Sequence, residues 1–158
     1  AGDSMDEKVY EEMLSDLEKA RKMIYVTDNC GEVVCDKLAV EELKKGFPGL
    51  DITVMVRGEA ALNDATIEDA LQTGLDKAAR ITDNGCGVAG TPLDYVGADA
   101  RRLLEEADVI VAKGQGNFET MHGCGLNIYY SFLCKCDWFR KRFGMEKNKG
   151  MFVRERSS

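Results

Sequence analysis

The chain has 158 residues, of which 44% are hydrophobic and 31% are charged, so it can form a packed core and is not intrinsically disordered. Its 28 acidic and 21 basic residues give a net charge of -7, which disfavours nucleic acid and anionic membranes as partners but not divalent cations. It has no run of about 18 apolar residues and no leader-like apolar start, so we expect neither a membrane span nor a secretory signal. At this length, residues 1–158 are expected to form one domain.

The six cysteines include no CxxC pair and lack the usual spacing of zinc ligands. A chain of this length and apolar content does not need a disulfide framework. We therefore expect free thiols in a reducing cytosol, which predicts a cytoplasmic protein. The cysteines are Cys30, Cys35, Cys86, Cys124, Cys134 and Cys136.

Three elements are predicted before residue 50. Residues 4–21 read as a helix that begins with a capping box formed by Ser4 and Glu7. A short run of β-forming residues, 23–27, predicts the first strand. Residues 32–45 are amphipathic and predict a second helix, which ends at Gly46 and Pro48. Its apolar positions are Val33, Leu38, Val40 and Leu43.

The remaining elements continue the alternation of strands and helices. A strand is predicted over 51–57, a short helix capped by Thr66 and Asp69 ends at Gly74, and a weak strand covers 79–82. The later predictions are a helix over 99–106, a buried strand over 109–112, a helix over 117–133 that Gly123 and Gly125 interrupt, a helical stretch over 136–143 and a last strand over 151–153.

Four apolar strands separated by helices predict a three-layer α/β/α fold with a mostly parallel, Rossmann-like sheet. Right-handed crossovers place the carboxyl ends of parallel strands at one edge, where open α/β sheets bind their ligands. Polar residues follow each predicted strand, which indicates a site there. They are Asp28 and Asn29; Arg57, Asn63 and Asp64; Asp83 and Asn84; and Lys113, Gly114, Gly116, Asn117 and Glu119.

The residue types at this edge suggest a site for a phosphorylated ligand. Asp28, Asn29 and Asp64 offer hard oxygen ligands, which suit Mg²⁺ or Mn²⁺. Lys113 offers a positive charge for a phosphate, and backbone N–H groups at the turns 31–32 and 114–117 are further candidate donors. Attack of a metal-activated water on phosphorus is the natural reaction for such a set.

Each residue also has a simple structural explanation. Asp28, Asn29 and Asp64 are good capping residues, and Lys113 alone could be a solvated lysine. His122, the single histidine, is expected to be an ordinary polar residue. Position 64 is the most informative of these, because it lies seven residues past the second predicted strand, where sheet packing does not require a carboxylate.

Residues 85–90 match the GxGxxG pattern of dinucleotide-binding proteins. That fingerprint also needs an acidic residue after the next strand to bind the ribose, and Lys113 occupies that place. The apparent helix start at 91–94 follows the third glycine instead of spanning it, so we interpret the match as accidental.

Four segments in order resemble motifs of the DUF89 family, the damage-control phosphatases. Asp28-Asn29-Cys30-Gly31-Glu32 resembles its DNxGE motif, and residues 62–70 resemble its LNDAT segment. Residues 81–91 are similar to its DNG…GT segment, and residues 107–120 to its AKGQGNFE segment. Cys134-Lys135-Cys136 resembles a later cysteine-ended segment, so the resemblance spans about residues 22–153.

The resemblance implies a metal-dependent phosphatase that acts on small phosphate esters such as sugar or nucleotide phosphates, including damaged metabolites. It implies Mn²⁺ or Mg²⁺, with Ni²⁺ or Co²⁺ as further candidates. The family's metal ligands map onto Asp28, Asn29 and Asp64, which with Lys113, the phosphate contact, form the expected catalytic set. The expected substrate-binding residues are Glu32, Asn63, Gly114, Asn117 and Glu119.

The sequence departs from this pattern before the DNxGE motif, where members of the subfamily usually carry a longer helical region. A patch of exposed apolar surface is therefore expected where that region would dock, or where the chain would self-associate. Two other hypotheses stay open. One is a metal- or phosphate-binding module without turnover, and the other is a redox-sensing thiol protein that uses Cys30.

Overall fold

A computed structural model describes residues 7–59, 63–133 and 150–155. Helices and strands alternate through most of the described chain. The helices are α1 (Glu7–Lys19), α2 (Val33–Gly46), α3 (Ile67–Thr73), α4 (Leu75–Ala78), α5 (Ala98–Glu106) and α6 (Gln115–Met121). The strands are β1 (Lys22–Val26), β2 (Asp51–Val56), β3 (Arg80–Asp83), β4 (Val109–Lys113), β5 (Ile128–Leu133) and β6 (Gly150–Arg154).

The strands form one sheet in the order β3-β2-β1-β4-β5-β6. The first five are parallel and β6 pairs antiparallel with β5, so the predicted mostly parallel sheet is confirmed. From β1 the sheet extends in one direction through β2 and β3 and in the other through β4, β5 and β6, so the strand order reverses between β1 and β4. Parallel α/β sheets bind ligands in the crevice that such a reversal opens at the carboxyl ends of the strands.

Helices cover both faces of the sheet, which confirms the three-layer architecture. Met13, Leu17, Val33 and Val40 of α1 and α2, together with residues of α3 and α4, pack against one face. Residues of α5 and α6 pack against the other face, among them Leu104 and Phe118. Buried strands read as continuous apolar runs because both of their faces are covered.

The helix predicted over 117–133 is wrong in its second half. Helix α6 ends at Met121, and residues 128–133 form β5, which extends the sheet beyond the predicted strands. Gly123 and Gly125 adopt φ angles of 88° and 80°, which suit glycine and end the helix. The aromatic residues that follow have a strong preference for strands.

Smaller differences concern single positions. Leu38 is 57% exposed and so does not belong to the buried face of α2. Residues 91–94 form no helix, since α5 begins at Ala98, and residues 85–90 therefore do not open a helix as a dinucleotide fingerprint would. Thr66 and Asp69 form the expected capping box before α3. Ser4 and residues 136–143 lie outside the described residues.

None of the helices in the described part of the chain combines the length and apolar character needed to cross a bilayer.

Helix α1 is tied to the far side of the sheet by a polar cluster. The Asp16 carboxylate accepts a hydrogen bond of 2.6 Å from the Tyr129 hydroxyl and one of 3.2 Å from the Arg154 guanidinium. Arg154 also pairs with Glu12 at 3.1 Å. The first helix is thus held by residues of β5 and β6, more than 100 positions later in the sequence.

Glu155 anchors the chain that follows β6. Its carboxylate is buried and accepts hydrogen bonds from the Tyr130 hydroxyl at 2.6 Å and from the Gly123 N–H at 2.8 Å. The same hydroxyl is buried, and burial together with the hydrogen bond to Glu155 raises the pKa of Tyr130 far above the usual value of tyrosine. Glu155 therefore links the turn after α6 to the antiparallel edge of the sheet.

Replacement Glu155→Ala should lower the free energy of unfolding by on the order of 2–3 kcal/mol, because it leaves the buried Tyr130 hydroxyl without an acceptor and removes the hydrogen bond of the Gly123 N–H. Urea denaturation followed by circular dichroism measures the loss. The control is Glu105→Ala, which removes an exposed pair with Arg101 and should cost about 0.5 kcal/mol or less. Equal effects would contradict the anchoring role.

Candidate functional site

Backbone pairing joins the ends of β1 and β2 beyond the sheet. The Ala65 N–H donates to the Asp28 carbonyl at 2.9 Å, and the Cys30 N–H donates to the Asn63 carbonyl at 2.7 Å. Asn29 and Asp64 face each other across this antiparallel bridge. Two segments that are more than 30 residues apart in sequence are thus brought side by side at the carboxyl edge of the sheet.

A pocket of about 490 Å³ opens at this edge, over the reversal between β1 and β4. Its wall combines the expected polar residues with an apolar side formed by β5 and β6. The described lining residues are Asp28, Asn29, Glu32, Asn63, Asp64, Ala89, Gly90, Lys113, Gly114, Gln115, Gly116, Ser131, Phe132, Gly150, Met151 and Phe152.

The side chain of Arg57 is buried behind the pocket and forms hydrogen bonds with three separate segments. Arg57 directly follows β2 and is only 3% exposed. Its guanidinium donates to Asp64 Oδ2 at 2.7 Å, to Thr91 Oγ1 at 2.9 Å and to Asn117 Oδ1 at 3.2 Å. One side chain therefore connects three of the segments that carry the family-like motifs.

Asn117 extends this network to the two central strands. Its Nδ2 donates to the carbonyl of Thr27, just after β1, at 3.0 Å and to the carbonyl of Lys113, at the end of β4, at 2.6 Å. Its Oδ1 accepts hydrogen bonds from both Thr91 and Arg57. Asn117 is fully buried and does not line the pocket, so in the structure it supports the wall from behind.

Gly114 allows the Asp28 carboxylate to lie against the chain. Gly114 adopts a φ of 91°, and a Cβ atom at this position would overlap the carboxyl group of Asp28. A residue with a side chain would meet both the strain of this conformation and the carboxylate. Gly114 is thus required for the close approach of β1 and β4 at the pocket.

The backbone donors expected at the turn 31–32 are already used. The Gly31 N–H donates to Asn29 Oδ1 at 2.8 Å, and the Glu32 N–H donates to the Asn29 carbonyl at 3.0 Å. The Gly114 N–H likewise donates to the Ser131 carbonyl at 2.8 Å. These three groups are therefore not available to an anion, which corrects that part of the expectation.

Lys113 enters the pocket beside two acidic side chains. Its Nζ lies 2.7 Å from Asp36 Oδ1 and 3.7 Å from Glu32 Oε2. Burial alone lowers the pKa of Lys113, but the hydrogen bond and charge of Asp36 and the charges of Glu32 and Asp28 outweigh burial and hold the pKa above the usual value. The ammonium group is therefore charged at neutral pH.

The other predicted residues separate into two groups. Asp28, Asn29, Glu32, Asn63, Asp64, Lys113 and Gly114 all line the pocket. Glu119 does not, since it lies exposed on α6 and accepts a hydrogen bond from Gln115. Cys30 and Cys35 are exposed free thiols, and neither lines the pocket.

The donor set of the pocket fits a hard divalent cation. Asp28 and Asp64 offer carboxylates and Asn29 an amide oxygen, and the described lining contains neither a thiol nor an imidazole. Asn29 Oδ1 retains a second lone pair beside its hydrogen bond to Gly31. No cluster of three or more His, Cys, Asp or Glu side chains suited to a metal occurs in the described residues, so the amide would complete the set.

Formal charge supports the same conclusion. Among the residues that the structure describes, four carboxylates lie at or directly behind the pocket wall, whereas two cationic side chains lie there. The carboxylates belong to Asp28, Glu32, Asp36 and Asp64, and the cations are Arg57 and Lys113. A divalent cation would balance the two surplus negative charges.

Two residues of the site were missed as functional candidates in the sequence. In the sequence Arg57 is simply a polar residue after a strand, and its place at the end of a mostly apolar run is the available signal. Asp36 lies on the buried stripe of α2, three residues after Val33 and four before Val40. A carboxylate on an apolar stripe signals a buried partner.

Replacement Arg57→Met should destabilise the chain by about 3 kcal/mol or more, because it leaves the Asp64 carboxylate without its buried cationic partner and removes one of the two hydrogen bonds to Asn117 Oδ1. Urea denaturation measures this loss. The control is Arg80→Met, which removes an exposed pair with Asp51 at 3.9 Å and should change stability by about 0.5 kcal/mol or less. A small effect at Arg57 would show that the network does not hold the site together.

Comparison with known proteins adds independent evidence. Residues 4–150 match the model of the damage-control phosphatase ARMT1-like domain. The chain is 39% identical over 126 residues to a damage-control phosphatase of Archaeoglobus fulgidus and 32% identical over 126 residues to one of Pyrococcus horikoshii, covering 78% and 79% of this chain. It is also 32% identical over 148 residues, or 90% of this chain, to an uncharacterized protein of Methanocaldococcus jannaschii.

A solved structure agrees with these matches. The crystal structure of a DUF89 family protein of Pyrococcus horikoshii superposes with a TM-score of 0.85 at 29% identity and covers 92% of this chain and 51% of that one. The present chain spans 43%, 44% and 48% of the three relatives, which is less than half of each. Because the family model matches residues 4–150, which is most of this chain, the chain belongs to the damage-control phosphatase ARMT1-like domain family.

Proposed function

We propose that the chain carries the site of a metal-dependent phosphatase that hydrolyses small phosphate esters, such as sugar or nucleotide phosphates and damaged metabolites. The observation that carries this proposal is the meeting of Asp28, Asn29, Asp64 and Lys113 on one pocket wall. The phosphatases among its relatives support the reaction class.

Asp28, Asn29 and Asp64 would hold the cation, which is Mn²⁺ or Mg²⁺, with Ni²⁺ or Co²⁺ as further candidates. When bound, such a cation supplies Lewis-acid polarisation of a phosphoryl group and activates water. Arg57 fixes Oδ2 of Asp64 through its 2.7 Å hydrogen bond. Asp64 would therefore present its other oxygen, Oδ1, to the ion.

Lys113 would bind the phosphoryl oxygens. Its side chain is 20% exposed, and Asp36 holds its ammonium group through an ion pair. Glu32 stands at the rim, 48% exposed and 3.7 Å from the same ammonium, so a bound phosphate would replace a weak ion pair. Asn63 and Gln115 offer further polar contacts from the wall.

The apolar part of the wall suits the organic part of an ester. Phe132, Met151 and Phe152 of β5 and β6 line the pocket together with the acidic residues. The phosphate would then face the polar ends of β1 and β4, while the alcohol portion lies against apolar side chains. Hydrolysis breaks the bond between phosphorus and the ester oxygen and transfers the phosphoryl group to water.

A second candidate function is metal and phosphate binding without turnover, because the chain spans less than half of its relatives. Helices α2 and α3 expose large apolar side chains at Val34, Leu38, Ile67 and Leu71. Such a surface would suit a helical segment or a second copy of the chain. Turnover of p-nitrophenyl phosphate with each of the four divalent metals separates the two functions.

Replacement Asp64→Asn should lower Mn²⁺ affinity and turnover together, by on the order of 10²-fold, because it removes a charge from a hard-cation site. It should also lower the stability of the metal-free chain by about 1–3 kcal/mol, since the buried Arg57 loses its counter-ion. This effect revises the expectation that a carboxylate at position 64 is not needed for packing. Thermal melting with and without Mn²⁺ measures the stability and the metal binding, and hydrolysis of p-nitrophenyl phosphate measures the turnover.

The control for this variant is Asp83→Asn. Asp83 is the last residue of β3 and so also lies at the carboxyl edge of the sheet. Its carboxylate accepts a hydrogen bond from the Gly85 N–H at 2.8 Å, and it does not line the pocket. Its Mn²⁺-induced rise in melting temperature should match that of the parent. An undiminished rise in Asp64→Asn would show that the metal site is assigned wrongly.

Replacement Lys113→Met should weaken the binding of inorganic phosphate by tenfold or more, on the order expected for a hydrogen bond between charged groups. Mn²⁺ affinity should not fall, because Lys113 is not among the proposed ligands and its loss removes a positive charge from the site. Competitive inhibition by phosphate and Mn²⁺ titration measure the two quantities. Equal phosphate affinity in both proteins would remove Lys113 from the proposed mechanism.

A further inference from the structure

Asp36 is a fully buried carboxylate directly behind the pocket. It lies on the inner face of α2 and is 0% exposed, so no ligand in the pocket can touch it. Its Oδ1 accepts hydrogen bonds from the Tyr25 hydroxyl at 2.8 Å and from Lys113 Nζ at 2.7 Å. Its Oδ2 is buried and has no hydrogen-bond partner within the described part of the chain.

Packing of α2 does not explain a carboxylate at this position. Val33 and Val40, its neighbours along the buried stripe, are fully buried apolar residues. A buried carboxylate with one oxygen left without a donor is unfavourable compared with an apolar side chain of similar size. Its presence therefore has to be explained by the two groups it binds, Tyr25 and Lys113.

Lys113 is the partner that reaches the pocket. A lysine side chain has a flexible four-carbon stem and a compact charge, so its ammonium is poorly fixed unless it is anchored. The hydrogen bond to Asp36 uses one of its three donors, and Lys113 lines the pocket between Asp28 and Glu32. The anchored ammonium retains donors for a ligand in the pocket.

Resting on the proposed function, we propose that Asp36 is a positioning residue that acts only through Lys113, holding its ammonium in place for the phosphate of the substrate. Burial raises the pKa of Asp36, and the hydrogen bond and charge of Lys113 oppose that rise, so the two groups stabilise each other's charged form. Tyr25 also donates a hydrogen bond to the same carboxylate oxygen, but among the described residues it is not a hydrogen-bond partner of Lys113.

The test is a double-mutant cycle between Asp36→Asn and Lys113→Met, with inorganic phosphate as the probe. Asp36→Asn should weaken phosphate binding by about tenfold, as expected for loss of a charged hydrogen-bond partner. In the Lys113→Met background the same change should have no further effect on phosphate affinity, because the positioned group is gone. Mn²⁺ should still bind to all three variants, because Asp28, Asn29 and Asp64 are unchanged, but Asp36→Asn should lower its affinity by removing a negative charge. Phosphate affinity is therefore compared at saturating Mn²⁺.

Tyr25→Phe is the matched control. It removes the other hydrogen bond to Asp36 Oδ1 without changing any charge beside Lys113. It should lower stability but leave phosphate affinity within about twofold. If Asp36→Asn does not fold, Asp36→Leu fills the same space with an apolar group and supports the same cycle.

The outcomes separate this inference from the proposed function. If Lys113→Met binds phosphate weakly but Asp36→Asn binds it normally, the positioning role is overturned and the proposed function stands. If Asp36→Asn weakens binding equally in both backgrounds, the role is structural and the inference is also overturned. If Lys113→Met itself binds phosphate normally, the lysine is not a phosphate ligand and the proposed function fails at that step.

Discussion

The pocket depends on one buried cation, the guanidinium of Arg57. It is 3% exposed and donates to Asp64 and Thr91, which lie in two loops, and to Asn117 of helix α6. The planar guanidinium offers five donors in a fixed arrangement, so one side chain can set the relative positions of all three segments. The rigidity of the site therefore originates behind the pocket wall.

The two cationic side chains of this region, Arg57 and Lys113, have different partners and different roles. Arg57 pairs with Asp64 from within the core, whereas Lys113 pairs with Asp36 and reaches the pocket. With Asp28 and Glu32 added, the described side chains of the region have a surplus of negative formal charge. A phosphate ester would be repelled by this surplus until a divalent cation neutralises it, so under the proposed function cation binding promotes substrate binding.

Local sequence signals predicted much of the fold and part of the site. The capping box at Thr66 and Asp69, the apolar runs of β1, β2 and β4, and the turn at Gly74 are local features, and the structure has all of them. Strand β5 was predicted as helix because its apolar residues do not distinguish a buried strand from a buried helix. The roles of Arg57 and Asp36 depend on contacts between distant segments, which local periodicity does not encode.

The cluster that joins α1 to the far edge of the sheet has a consequence for folding. Asp16 meets Tyr129 and Arg154, so these polar contacts of α1 come from β5 and β6, more than 100 residues later in the chain. Such long-range contacts slow folding, because a large loop must close before they form. During synthesis on the ribosome, α1 emerges before β5 and β6, so these contacts form only after both strands have been made.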